Sequence, residues 1–127
     1  MLRAADRTAL ERLGLSYEAE PDGGFINLTI TNYLLPDGLT PRTTSLLLRL
    51  PGGFPDASPD MFWTADVIRT TSGKRPAATE VIETYAGQSW QRWSRHIDSW
   101  RPGLDDLDTL LRFVTHCLLR EVEAAAA

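Results

Sequence analysis

A chain of 127 residues with 43% hydrophobic side chains has the length and apolar content for one domain with one core, read over 1–127. The 13 Lys and Arg against 17 Asp and Glu leave a net charge of −4, so no global positive field is available for a phosphate backbone, and nucleic acid is excluded as a leading partner. The charged opening Met-Leu-Arg-Ala-Ala-Asp-Arg and the lack of a long apolar run argue against a signal peptide and a membrane span, while a single cysteine, Cys117, excludes an internal disulfide; a cytoplasmic protein without a membrane partner is expected.

Leu10, Leu13 and Leu15 among charged residues predict a short amphipathic helix over 5–15, ended by Gly14. The rough alternation from Leu15 to Glu20 predicts a strand, and Pro21-Asp22-Gly23-Gly24 a tight connection. Two runs rich in β-branched and apolar residues, 25–35 and 43–50, predict further strands on either side of Pro36-Asp37-Gly38-Leu39-Thr40-Pro41. In the first run Ile26, Leu28 and Ile30 share one face and Asn27, Thr29 and Thr31 the other, the pattern of an antiparallel sheet covered on one side. A fourth strand is expected over 61–65, after the loop 51–59. Residues 66–103 show no sustained period, and Trp90, Trp93 and Trp100 within them predict an ordered crossing segment without regular structure. Beyond Gly103, Leu104, Leu107, Leu110, Leu111, Val114, Leu118 and Val122 recur at helical spacing, with Asp105 and Asp106 expected in the first turn. A helix, a four-stranded antiparallel meander, a crossing segment and a helix make an α+β domain with its helices on one sheet face.

The run Leu46-Leu47-Leu48-Arg49-Leu50-Pro51-Gly52-Gly53-Phe54-Pro55-Asp56-Ala57-Ser58-Pro59-Asp60-Met61-Phe62 resembles the strand, proline-rich flap and next strand of ubiquitin-conjugating enzymes. Trp100-Arg101-Pro102 is similar to the Trp-x-Pro that precedes a helix in that family. Trp90-Gln91-Arg92-Trp93-Ser94-Arg95-His96, followed by Trp100, resembles a divergent prokaryotic branch of the superfamily, encoded beside ubiquitin-activating-like and ubiquitin-like proteins. The resemblance implies the ubiquitin-conjugating-enzyme (UBC-like) fold, with an N-terminal helix, the meander, the flap and a C-terminal helix. It implies a place in a bacterial, antiphage pathway of ubiquitin-like protein conjugation. Two partners follow from it, an activating-enzyme-like adenylating protein and a ubiquitin-like protein, the former met by the N-terminal helix with Arg3, Arg7 and Arg12 supplying polar contacts. No glycine-rich phosphate loop is present, so ATP chemistry belongs to the partner and no cofactor is expected. Within the flap, Pro55 and Pro59 fix their own backbone angles and restrict Phe54 and Ser58, which predicts a stiff loop.

The family's His-Pro-Asn triplet and catalytic cysteine are both missing between Met61 and Trp100, so the ordinary thioester chemistry is absent. Cys117 lies on the apolar stripe of the last helix, three residues after Val114, where a buried thiol is inert. A different constellation occupies the stretch from Trp90 to Trp100. Ser94 is the candidate acyl acceptor, forming an oxyester if a base takes its proton, and His96 titrates in the range for that base. Two residues apart, they share a face in an extended segment, and Asp98, two further on, would orient the imidazole. The competing reading makes Ser94 the cap of a helical turn, with Arg95 and His96 on backbone carbonyls. Trp90 and Trp93 either shape an acceptor groove or close a core, and Arg95, clustered with Arg92 and Arg101, either meets an acidic partner or forms a solvated face. Two histidines and one cysteine spread over this chain lack ligand spacing, so no metal is expected. Two functions stand: an acyl-carrying conjugating factor, and a non-catalytic adaptor of the same fold that binds the ubiquitin-like protein or its activating enzyme.

Overall fold

The computed structural model describes residues 2–127. Helix α1 (Ala4–Arg12) buries Leu10 and is started by Arg3, whose guanidinium lies 2.8 Å from the buried Asp6 carboxylate in the first turn. It is three residues shorter at its end than the leucine spacing predicts, because Leu13 forms the cap and Gly14 turns the chain at φ 68°. Strand β1 (Ser16–Asp22) pairs antiparallel with β2 (Phe25–Leu34), setting Tyr17 opposite Ile30 and Ala19 opposite Leu28 on the core side. A shift of register after Ile30, with Asn32 at φ 53°, bends the end of β2 where it pairs with β4 (Thr43–Pro51). Between them a two-residue strand β3 (Leu39–Thr40) pairs with β6 (Arg69–Thr70) in a separate small sheet. Gly38 just before it has no room for a side chain: a Cβ there would stand 2.7 Å from Val122.

Strands β4 (Thr43–Pro51) and β5 (Phe62–Thr64) flank the flap and complete the expected four-stranded meander. The sheet continues beyond it. Strands β7 (Ile82–Tyr85) and β8 (Gln88–Trp93) form a hairpin whose β8 pairs with β5, giving the order β1-β2-β4-β5-β8-β7. This corrects the expectation of an irregular segment over 66–103. The hairpin turns at Ala86 and Gly87, both at positive φ (52° and 76°), the geometry that matches the twist of paired strands. Its alternation was concealed because the core-facing position 91 is a glutamine, whose Oε1 accepts from the backbone N–H of Ile68 at 2.9 Å and from Thr64 Oγ1 at 3.2 Å.

Helix α2 (Leu107–Ala126) begins three residues later than its leucines suggest. Asp106 caps it, accepting from Thr109 N–H at 3.3 Å, while Asp105 stands before the helix and is held by Arg101. Both helices lie on one sheet face, where Leu10, Leu107, Leu110, Val114 and Leu118 join Leu28, Ile30, Leu46, Leu48, Phe62 and Trp93 in one core. No helix among the described residues covers the opposite face. There Leu47, Trp63 and Trp90 are buried beneath Tyr85, which meets Trp63 edge-on, and beneath Arg49, whose guanidinium lies 4.2 Å from the Tyr85 ring and 4.4 Å from that of Phe25.

Candidate functional site

The flap and the end of β8 meet at one corner of the sheet. The flap leaves β4 at Pro51 and runs in turns without strand or helix, with Pro59 buried and Phe54 and Pro55 half-buried. Trp100 holds it from outside, donating its indole N–H to the Pro55 carbonyl at 2.7 Å while its ring lies 6.0 Å from that of Phe54. Where the flap enters β5, the Met61 N–H donates to the Arg95 carbonyl at 3.0 Å, continuing the β5–β8 pairing past the last strand residue. That extra bond sets Asp60 beside His96: Asp60 Oδ1 lies 2.9 Å from His96 Nδ1, and both side chains are exposed.

Ser94 follows β8 directly, with its N–H donating to the Ala78 carbonyl at 3.1 Å. Its Oγ accepts from Arg92 Nε at 3.1 Å, and Arg92 is in turn paired with Glu83 at 3.3 Å, whose other oxygen accepts the Trp63 indole N–H at 2.8 Å. No helix begins at Ser94, the next one along the chain being α2. Among the described residues no hydrogen bond joins Ser94 to His96, and Asp98, exposed two residues further on, does not orient the imidazole; Asp60 does. The structure thus brings Ser94 together with Arg92 and His96 together with Asp60, and it joins Asp98 to neither. Sequence spacing gave no signal for Asp60, which reaches His96 across 36 residues through the antiparallel pairing of β5 with β8.

The residues expected at a partner surface divide. Trp93 is 0% exposed and stacked on Phe62 at 5.3 Å, and Trp90 is 2% exposed with its indole N–H on the Tyr85 carbonyl, so both close cores, and only Trp90 also borders a shallow groove of about 200 Å³ with Glu18, Glu20 and Gln88. Arg95 is also engaged internally: it donates to the Ala77 carbonyl at 2.9 Å, pairs with Glu121 of α2 at 3.2 Å and lies over the Trp93 ring. Arg3, Arg7 and Arg12 remain exposed on α1, bonded respectively to Asp6, the Leu2 carbonyl and Asp108 of α2.

Behind His96 a groove of about 330 Å³ runs along α2, lined by Arg95, His96, Phe113, His116, Cys117 and Arg120. The fold therefore brings His116 and Cys117 toward His96, although no three of the described His, Cys, Asp and Glu residues form a group able to hold a metal. Burial pushes the Cys117 thiol above its ordinary value, against a smaller opposing pull from Arg95 and Arg120, which keeps it protonated and poorly nucleophilic.

A family model described as Prokaryotic E2 family E matches residues 2–121. The chain belongs to this prokaryotic E2 family. No curated protein and no solved structure matches it. The N-terminal helix, antiparallel sheet and C-terminal helix fit the UBC-like fold of ubiquitin-conjugating proteins. Membership of a prokaryotic E2 family points to a role in bacterial ubiquitin-like conjugation and, in general terms, to interaction with a ubiquitin-like protein and an activating enzyme. No helix among the described residues is long and apolar enough to cross a membrane.

Proposed function

We propose that this E2-family protein accepts the C-terminus of a ubiquitin-like protein from an activating-enzyme-like partner as an ester of Ser94 and passes it to an amine. The observation that supports this reading is the pair of contacts on one stretch of chain: Arg92 Nε donating to Ser94 Oγ at 3.1 Å, and Asp60 holding His96 Nδ1 at 2.9 Å. With Nδ1–H directed to Asp60, Nε2 is the free acceptor, so the imidazole can take the Ser94 proton as Oγ attacks the activated carbonyl. The bond from carbonyl to the partner's leaving group breaks and the ester forms, while the Arg92 N–H stabilises negative charge on Oγ. The imidazolium then gives that proton to the partner's leaving group, and in the second step an amine displaces Oγ while the imidazole takes the proton shed by the amine nitrogen and passes it to Oγ. Arg3, Arg7 and Arg12 on α1 are the proposed polar contacts with the activating partner, and equal binding after their reversal to Glu would count against them. The proposal includes a cytoplasmic location, supported by the single buried thiol, and an antiphage setting, which rests on the resemblance alone.

The adaptor reading is favoured by one observation, that Ser94 and His96 share no hydrogen bond in the free protein. Both are tested by incubating the protein with the activating-like partner, the ubiquitin-like protein and ATP, followed by mass spectrometry. An adduct that survives thiol reductant, yields to hydroxylamine and is lost in Ser94→Ala establishes the ester; a stable complex that never gives an adduct establishes the adaptor.

A further inference from the structure

Trp63 on β5, Arg92 on β8 and Glu83 on β7 stand on three neighbouring strands of the uncovered sheet face. The register sets Trp63 opposite Arg92 and Glu83 opposite Trp90, so Glu83 meets Arg92 on the diagonal, within reach of long side chains. The buried Trp63 indole anchors the carboxylate by donating to Oε1 at 2.8 Å, which leaves Oε2 for the Arg92 guanidinium 3.3 Å away.

A guanidinium is planar and holds its donors in a rigid fork. Arg92 engages two of them, Nη1 with Glu83 and Nε with Ser94 Oγ at 3.1 Å, and its side chain makes no other hydrogen bond among the described residues. Fixing Nη1 therefore sets the direction of Nε. Arginine only donates, so the Ser94 hydroxyl accepts at this contact and its own hydrogen points elsewhere, free for transfer to a base. Without Glu83 the Arg92 side chain, 27% exposed, keeps one bond in place of two, and its rotamer entropy and hydration draw it away from Ser94.

We propose that Glu83 is a positioning residue of the Ser94 site, holding Arg92 so that Nε–H stays aimed at Oγ. The chemical consequence rests on the reading of Ser94 as an ester-forming nucleophile. Glu83 has an opposing effect, because its negative charge cancels part of the field of Arg92 at Oγ. Orientation outweighs field: a hydrogen bond to a developing oxyanion depends steeply on distance and angle, whereas water screens the field of a partly exposed guanidinium.

The experiment is acetylation by p-nitrophenyl acetate, which needs neither ATP nor an activating partner. Ser94 Oγ bonds to the acetyl carbon, the bond to p-nitrophenolate breaks, and the hydroxyl proton passes to His96 Nε2 and on to solvent. Acetyl-Ser94 is read by peptide mass spectrometry against acetyl-Lys74, the exposed Lys74 being the one lysine of the chain. Glu83→Gln retains an acceptor oxygen for the indole but no charge for Arg92, and is expected to lower the ratio about tenfold. In an Arg92→Met background the same substitution should change nothing, because a positioning residue acts only through the group it positions, whereas a merely structural role lowers both backgrounds alike. An equal or higher ratio in Glu83→Gln, or an equal loss in the Arg92→Met background, would overturn the proposal. If Ser94 of the parent protein takes no acetyl group, the ester reading fails, and the hold of Glu83 on Arg92 is decided by the NMR signal of Arg92 Nε–H. That signal is expected to exchange slowly in the parent and to be lost to exchange in Glu83→Gln; an unchanged signal overturns the positioning role.

Discussion

The indole of Trp100 reaches back 45 residues to place its N–H 2.7 Å from the Pro55 carbonyl, tying the flap to the segment that leads into α2. Gly103 N–H adds a second tie, donating to Asp56 at 3.2 Å. Trp100→Phe keeps a ring beside Phe54 but removes the donor, and is expected to cost about 1 kcal/mol in urea unfolding. Faster amide exchange over 52–58 should accompany it. An unchanged flap would mean that the prolines alone hold it.

Glu83 serves two donors on the uncovered sheet face, the buried Trp63 indole and the Arg92 guanidinium. Glu83→Ala leaves the indole N–H without its acceptor, and a loss of about 1–3 kcal/mol is expected in denaturant unfolding. Glu83→Gln, which retains one acceptor oxygen, should recover much of it. If Gln and Ala are equally destabilised, the negative charge matters more than the hydrogen bond.

Cys117 is held above its ordinary thiol value by burial. The folded pKa exceeds the unfolded one, so its contribution to stability is complete below the unfolded value and is lost as pH rises through the folded value. Alkylation by iodoacetamide at mildly alkaline pH should be slow in the native protein and fast in urea. Rapid native alkylation would show that the groove along α2 admits reagents to the thiol.

Asp105 behaves in the opposite sense. Hydrogen bonds from the Arg101 side chain, and next from its backbone N–H at 2.7 Å, hold its carboxyl below the usual range. Its stabilising effect is therefore present above the unfolded carboxylate pKa and lost as pH falls through the folded one. Asp105→Asn should flatten the acid limb of the curve of thermal midpoint against pH while changing the neutral region less.

The four meander strands and both helices were legible in the sequence because their apolar residues keep a strict period: Leu28 and Ile30 alternate with Asn27 and Thr29, and Leu107, Leu110, Leu111 and Val114 recur at helical spacing. The β7–β8 hairpin was not legible, since Ala86 supplies a positive φ without the usual Asn, Asp or Gly and Gln91 places an amide on the core side. At the site, Ser94 and His96 could be named from a local motif, but Asp60 could not. Its pairing with His96 exists only after β5 and β8 are side by side, and pairings across a sheet leave no trace in local spacing. Trp90 and Trp93 illustrate the converse, since composition alone does not separate an aromatic in a groove from one in a core, and burial on two opposite sheet faces decides it.

The sheet consists of two locally closed pieces, the meander from β1 to β5 and the hairpin β7–β8, joined along a seam of only three residue pairs: Phe62 with Trp93, Trp63 with Arg92, and Thr64 with Gln91. Each piece can form from near neighbours in the chain, but the seam must close a loop of intervening residues before its contacts reward it. Assembly of this protein is thus a docking problem, and tryptophans stand on both sides of the joint. Indole fluorescence should report its closure directly, separating the moment when the hairpin meets the meander from the earlier collapse of either one.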